Sequence, residues 1–176
     1  MSREEFLKQQ YLTLREEIRE SKARIFRLLI LGALFVPAAG FVADEYQATF
    51  ASASMPFIIM VLMLGFISEQ NAIVRAGRYL KEHVEPSIEN VTGWENWLEK
   101  NHKLRDVDRY FFGSFLLLFF MFYAVGATSA MENLARSQPT KFWVYYTAGG
   151  VGYGLGGLWV LLVWLRHWHS CTTTID

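Results

Sequence analysis

The stretch Tyr110–Ala130 reads YFFGSFLLLFFMFYAVGATSA and contains no charged side chain in 21 residues. A helix needs about 20 consecutive apolar residues to cross the hydrocarbon core of a bilayer. In water, a helix that is apolar on every side is stable only inside a large protein core. The stretch is therefore typical of a transmembrane helix, and this pattern decides the fold of the chain.

Three further apolar runs of similar length accompany this stretch, namely Ile25–Ala43, Ala51–Ser68 and Phe142–Leu165. The chain has 17 Lys and Arg residues and 17 Asp and Glu residues, which are concentrated between the runs. A soluble bundle is the alternative, but a chain of 176 residues has too little interior to hide every face of four apolar helices. The sequence predicts an all-α fold, an integral membrane four-helix bundle with cytoplasmic helical extensions.

The basic residues predict the orientation of the chain, because short loops rich in Lys and Arg stay in the cytoplasm. The link between the third and fourth runs carries only Arg136 and Lys141; the other fifteen basic residues, counting Arg27 at the edge of the first run, lie on the opposite side. Both termini should therefore be cytoplasmic. The predicted organisation is a cytoplasmic arm (1–24), a transmembrane hairpin (25–68), a cytoplasmic helical loop (69–109), a second transmembrane hairpin (110–165) and a cytoplasmic tail (166–176).

The pattern of the arm predicts an amphipathic helix that continues without a break into the first run. Its apolar side chains recur at steps of four and three residues, interrupted only by Ser21, at Leu7, Tyr11, Leu14, Ile18 and Ile25. A seam this short favours packing against the protein's own cytoplasmic helices over an independent coiled coil.

The second run should continue into the cytoplasm as a helix through Glu82. Pro86 disfavours helical backbone in the residue before it, so this helix should stop at Glu85. One face of the extension is apolar and should pack, through Ile73, Ala76 and Leu80.

Further along the same loop, Trp94 and Trp97 form the apolar edge of a second amphipathic segment. They lie either in the lipid headgroup region or as a cap over the arm, and we favour the cap. The charged and aromatic residues of the loop form a predicted cytoplasmic platform for a protein partner: Arg75, Arg78, Tyr79, Glu85, Trp94, Glu95 and Trp97.

The loop also carries a resemblance to a known family. The pattern RxGxY, then VEP, then GWExWLE, follows an LREEI arm and comprises Arg75, Gly77, Tyr79, Glu85, Pro86, Gly93, Trp94 and Glu95. In these motifs the chain resembles a family of small bacterial four-span integral membrane proteins with no assigned activity. The resemblance implies a bacterial inner-membrane location and the same threading, and it implies no mechanism.

The fourth run contains TAGGVGYGLGG at Thr147–Gly157, which is similar at first sight to a potassium-channel selectivity filter. Glycines replace the threonines of such a filter, and only eleven residues separate Gly154 from Arg166, against roughly 20 for an inner helix. Small residues at helical spacing instead let helix backbones approach closely in a membrane. We predict two packing faces, one for a neighbour in the chain and one for another subunit: Gly150, Gly154 and Gly157, and Gly149, Gly152 and Gly156.

Metal and proton chemistry have little support in the sequence. The apolar runs lack the embedded carboxylate that a proton-coupled transporter uses. His167, His169 and Cys171 alternate in the tail, but completing four metal ligands would need His83 or His102 from the loop. Interfacial histidines are the simpler interpretation, and we expect no metal and no cofactor.

Catalysis and nucleic-acid binding are also weakly supported. Glu82, His83 and Glu85 could form an acid–base group, yet no nucleophile or phosphate-binding loop accompanies them. Acidic residues interleave with the basic ones of the loop, which argues against nucleic acid.

The predicted function is that of a non-enzymatic integral protein of the bacterial inner membrane, surrounded by membrane lipid. It would assemble as a homo-oligomer and use the cytoplasmic platform to bind a protein partner or carry a regulatory signal. The alternative is an oligomeric membrane pore or channel with the fourth span lining its axis. A membrane enzyme that uses the loop carboxylates is a third hypothesis.

Overall fold

The structure is a computed structural model, and it describes residues 3–46, 48–87, 93–94, 97–98, 101–137 and 139–172. Within these ranges the regular structure is helical and contains no strand, which confirms the all-α prediction. The four long helices are α1 (Arg3–Glu45), α2 (Thr49–Tyr79), α3 (His102–Ser137) and α4 (Phe142–Thr172). The continuous α1 confirms that the arm runs without a break into the first apolar run.

Among the residues that the structure describes, four helical stretches are long and apolar enough to cross a membrane. They are Glu5–Ala43, Thr49–Ser87, Tyr110–Ser137 and Pro139–Arg166. By length and composition the chain therefore has the elements of a multi-pass membrane protein.

The end of α2 differs from the prediction. After Tyr79 the helix widens into a π-helical turn at Leu80–Val84, where the N–H of Glu85 donates to the carbonyl of Leu80. Glu85 keeps right-handed helical dihedrals, φ −61° and ψ −40°, so the prediction that the helix stops there is wrong. Proline disrupts an α-helix because it lacks an N–H and its ring clashes with the preceding turn, and the wider π turn accommodates that ring.

The chain divides into two compact units. The first, which we call the charged unit, comprises Met1–Arg27 and Ser68–Ser114, and the second, the apolar unit, comprises Leu28–Ile67 and Phe115–Asp176. The charged residues of the apolar unit are few: Asp44, Glu45, Glu132, Arg136, Lys141, Arg166 and Asp176.

The charged unit is built around one hydrophobic cluster. Ile18 of the arm is buried with Ala76, Leu80 and Val84, and Tyr11, Leu14 and Ile73 pack against them. Burying a leucine or valine side chain stabilises a protein in water by about 1.5–3 kcal/mol. The cluster confirms that the arm packs against the protein's own helices and that Ile73, Ala76 and Leu80 share a face.

The break in the arm's apolar seam is the position of a polar contact. Ser21 is buried, and its hydroxyl accepts a hydrogen bond of 2.8 Å from Arg24. Arg24 also donates to the carboxylate of Glu69, one residue beyond the second apolar run, at 2.9 Å. That hydrogen bond lowers the pKa of Glu69, although partial desolvation opposes it. The Ser21 hydroxyl therefore accepts a hydrogen bond from the arginine of this ion pair, which an apolar side chain at this position could not do.

The core of the apolar unit has its closest packing at a glycine. Phe119 is fully buried and its ring lies 6.4 Å from that of Phe66. A Cβ atom added to Gly32 of α1 would overlap the Phe119 ring. Only a glycine therefore fits where α1 passes Phe119 of α3. The other fully buried side chains of this core include Ile59, Met63, Ile67, Leu116 and Val160.

Candidate functional site

Part of the predicted platform is an exposed aromatic and basic surface on α2. Arg75 and Arg78 are exposed, and the ring of Tyr79 stacks on His83 with centroids 4.8 Å apart and planes 9° apart. The Tyr79 hydroxyl accepts a hydrogen bond of 2.8 Å from Gln10 of the arm. The arm therefore holds this surface in place.

The two tryptophans of the platform stack on each other. Their ring centroids lie 5.0 Å apart with planes at 29°, and Trp94 and Trp97 keep 52% and 41% of their surface exposed. The N–H of Trp97 donates to the carbonyl of Gly93 at 2.9 Å, which closes a helical turn. A cap would bury these two tryptophans, whereas the structure leaves about half of the surface of each residue exposed.

Glu85 differs from the other predicted platform residues because it is buried, with 4% of its surface exposed. A Cβ atom at Gly93 would overlap the Glu85 side chain, so Gly93 packs directly on this carboxyl group. The platform prediction included Glu85 among accessible residues, and this burial does not fit an accessible binding surface.

The remaining predictions for the polar residues have mixed outcomes. Glu95 lies outside the described residues, as do the side chains of His167, His169 and Cys171. Within the described part of the chain, no three His, Cys, Asp or Glu side chains come together as a metal site. The described platform thus offers guanidinium groups and aromatic faces, which suit carboxylate-rich ligands and stacking contacts.

The glycine-rich stretch lies inside α4, which is helical from Phe142 to Thr172. In a helix the backbone carbonyls bond to the N–H groups four residues ahead, whereas a selectivity filter turns its carbonyls toward the ion. The helix through Val151–Gly154 therefore excludes the selectivity-filter interpretation.

Four of the six predicted packing glycines contact side chains of their own chain. A Cβ atom at any of them would come within 3.4 Å of a methionine or tyrosine. The pairs are Gly149 and Gly150 with Met131, and Gly156 and Gly157 with Tyr123. These glycines let α3 side chains lie directly on the α4 backbone.

The other two glycines, Gly152 and Gly154, have no atom within 4 Å of an added Cβ. Because an α-helix has 3.6 residues per turn, these two glycines lie about 200° apart around the helix axis. They are therefore on opposite sides of the face formed by the four packed glycines. In each predicted glycine face, two glycines contact side chains of α3, and the third one, Gly154 in one face and Gly152 in the other, contacts nothing within the chain. We call the four packed glycines the inner glycines.

Two tyrosines that sequence reasoning did not assign to packing join three helices of the apolar unit. The Tyr123 hydroxyl donates to the backbone carbonyl of Tyr153 at 2.6 Å, and the Tyr153 hydroxyl donates to the carbonyl of Ala53 at 2.8 Å. Pro56 lacks the N–H that would bond the carbonyl of Ser52, the residue before Ala53. A hydroxyl inside an apolar run, with a proline inside another, is the signal that could have identified this contact.

Neither a family model, nor a curated protein, nor a solved structure matches this chain. The functional assignment therefore rests on the residues and geometry described above.

Proposed function

We propose that this protein is a non-enzymatic, multi-pass protein of the bacterial inner membrane that assembles as a homo-oligomer through α4. Its termini and charged unit face the cytoplasm, where the platform binds a protein partner. The distribution of basic residues and the family resemblance of the loop support this location and orientation.

The observation that carries the assembly proposal is the open space at Gly152 and Gly154. A glycine inside a helix costs about 1 kcal/mol relative to alanine, so it needs a compensating contact. The four inner glycines have such contacts with Met131 and Tyr123. Lipid chains require no glycine, whereas the close approach of another helix backbone does. A second copy of the chain is the partner that would use these positions.

The platform proposal rests on the exposure of its residues. Arg75 and Arg78 stand beside the Tyr79–His83 stack, and the Trp94–Trp97 stack is exposed as well. Arginine and tryptophan are enriched at the centres of protein interfaces. This chemistry fits an acidic segment of a cytoplasmic protein.

The alternative function, an oligomeric pore lined by α4, has less support. The side chains that α4 exposes next to its open glycines are apolar, namely Val151, Leu155, Leu158 and Trp159. A pore surface of this kind excludes water and ions.

The assembly is tested by measuring the protein mass in a mild detergent with light scattering after size exclusion. Wild-type protein should form an oligomer, and Gly154→Leu or Gly152→Leu should reduce it to the 20.3 kDa monomer. Ala38→Leu on α1 is the control, because Ala38 is exposed and belongs to another helix. A monomeric wild type, or both glycine variants at native mass, would show the assembly proposal to be wrong.

The platform is tested separately by crosslinking in cells followed by quantitative mass spectrometry. The double variant Arg75→Ala, Arg78→Ala should lose a crosslinked protein that wild type captures, with its own assembly unchanged. Lys22→Ala, which removes an exposed basic residue from the arm, should retain that protein. Identical crosslinked proteins in all three would contradict the platform proposal.

A further inference from the structure

The apolar unit contains a cavity of about 430 Å³ between α1, α2 and α3. Its size falls in the range of about 300–1,000 Å³ that is typical of small-molecule sites. Residues of all three helices line it, among them Gly40, Ala43, Ser52, Met55, Gly126 and Asn133.

Small residues create this cavity. An added Cβ at Gly40 would meet no atom within 4 Å, whereas two turns earlier on α1 the ring of Phe119 fills the space at Gly32. The space is half open at its side and is large enough to hold part of an apolar molecule.

The cavity has a polar end and an apolar end. Asn133 donates a hydrogen bond of 3.0 Å to the hydroxyl of Ser52, near the start of α2 and the end of α3. Val36, Met55, Ile59 and Phe122 line the apolar part. The polar groups thus lie near the helix ends, where a membrane surface would be, and the apolar walls extend toward the middle of the spans.

The side of the cavity is bordered by exposed apolar residues. Phe41 and Val125 belong to its lining, and both expose most of their surface. In a spanning helix, such side chains face lipid tails. A lipid chain is therefore the apolar molecule with direct access to the cavity.

We propose that the cavity binds one acyl chain of a membrane phospholipid. The chain lies between Gly40, Phe122 and Gly126, which line the cavity and are partly accessible. Its ester group lies toward Ser52 and Asn133. The arrangement reproduces the order of polar and apolar groups along a lipid molecule. An occupant restores the dispersion contacts that an empty void between these side chains forfeits. This site is independent of the assembly through α4.

The test uses vesicles of phosphatidylethanolamine and phosphatidylglycerol that contain a phosphatidylethanolamine with a diazirine in its acyl chain. After irradiation, mass spectrometry should find adducts on Phe122 and Gly126, which line the cavity and are partly accessible. Bulk lipid reaches exposed residues outside the cavity such as Leu117 of α3, which serves as the internal reference. Adducts on Leu117 without any on Phe122 or Gly126 would overturn the proposal.

Filling the cavity should prevent this labelling. Gly40→Phe should lower the adducts on Phe122 and Gly126 at least roughly ten-fold, a change that corresponds to about 1.4 kcal/mol of binding, and should preserve those on Leu117. Ser129→Phe fills the cavity from α3 and should have the same effect. Ala38→Phe adds the same ring to an exposed position of α1 outside the cavity and should label like wild type. Unchanged labelling in both filled variants would contradict the site.

A second arm separates the two sources of an acyl chain. The same vesicles receive a diazirine-labelled palmitate in place of the labelled phospholipid. Labelling of Phe122 and Gly126 by the phospholipid supports the proposal. Labelling by palmitate alone would overturn it in favour of a free fatty acid.

Discussion

In the charged unit the arm packs on α2 through large side chains, with Leu80 and Val84 fully buried against Ile18. The close contact of Gly93 in this unit is with the side chain of Glu85, eight residues away, and does not join two long helices. In the apolar unit the closest approaches take place at glycines, with Gly32 facing Phe119 and Gly157 facing Tyr123. Water expels apolar side chains, but lipid tails are as apolar as leucine and provide no such drive. Helices that meet in lipid gain stability only from close contact and hydrogen bonds, and small residues permit both.

The polar contacts of the two units also differ, because one unit uses charged groups where the other uses neutral ones. The charged unit uses an ion pair, Arg24 with Glu69, at a partly exposed position. Inside its apolar runs the apolar unit uses neutral hydroxyl groups, those of Tyr123 and Tyr153, which donate to backbone carbonyls. Its ion pair between Glu132 and Arg136 lies outside those runs. Charged groups are costly in a membrane interior, whereas a hydroxyl bonded to a carbonyl is tolerated.

The largest effect should come from Gly32→Leu. The new side chain overlaps Phe119, so we expect the free energy of unfolding to fall by about 3 kcal/mol or more. Unfolding in mixed detergent micelles measures this quantity. Gly40→Leu, on the same helix but with open space around its Cβ, should lose no stability and should gain up to about 1 kcal/mol from the helix preference of leucine. Equal losses in both variants would mean that Gly32 holds no special contact.

The next largest effect should come from Leu80→Ala in the charged unit. Removing a fully buried leucine costs about 2–5 kcal/mol. Hydrogen exchange of the backbone amides should accelerate in residues 11–18 and 73–84. The matched change Leu155→Ala removes an exposed leucine from α4 and should leave stability within about 0.5 kcal/mol of wild type. A loss at Leu155 as large as that at Leu80 would remove the distinction between the two units.

A smaller effect should separate two glycines of α4. A Cβ at Gly157 lies 3.0 Å from the Tyr123 ring, whose hydroxyl bond to Tyr153 restricts its movement. Overpacking should therefore outweigh the helix preference of alanine, and Gly157→Ala should lose about 1 kcal/mol. Gly152→Ala meets no atom of its own chain, so in a detergent that keeps the protein monomeric it should gain up to about 1 kcal/mol from that preference. Thermal unfolding in detergent measures both, and a stabilised Gly157→Ala would show that Tyr123 can move.

The smallest effect concerns the Arg24–Glu69 pair. The hydrogen bond from Arg24 lowers the pKa of Glu69 in the folded protein. The pair therefore stabilises the fold fully above the pKa of Glu69 in the unfolded chain, and this stabilisation is lost as pH falls through the lower folded value. Melting temperatures from neutral to acidic pH should decline more in wild type than in Glu69→Gln. Parallel curves for the two proteins would show that Glu69 makes no pH-dependent contribution.

Much of the fold was predictable from local patterns. Long uncharged runs indicated the four helices, and the four–three spacing of the arm indicated which of its side chains pack. The interruption of that spacing at Ser21 marked the position of the Arg24–Glu69 contact, although the sequence did not show which acidic residue would lie there. Periodicity identifies a packed face because each helix turns by a constant angle, and it does not identify the partner.

The candidate site was predicted less well. The exposed residues Arg75, Arg78 and Tyr79 lie on the helix where the pattern placed them. The burial of Glu85 was missed, because it depends on the π turn before Pro86 and on contact with Gly93. Neither the widened turn nor that distant contact has a signature in the neighbouring residues.

By itself the sequence determined the elements: four apolar helices, a charged arm and loop, and their alternation along the chain. Those properties follow from the length and polarity of each segment, which act locally. Tertiary structure alone decided which glycines pack inside the chain and which stay open, and where small residues leave a cavity. These outcomes depend on the side chain that a second helix brings opposite each position, such as Phe119 at Gly32, and single-chain periodicity contains no information about that neighbour.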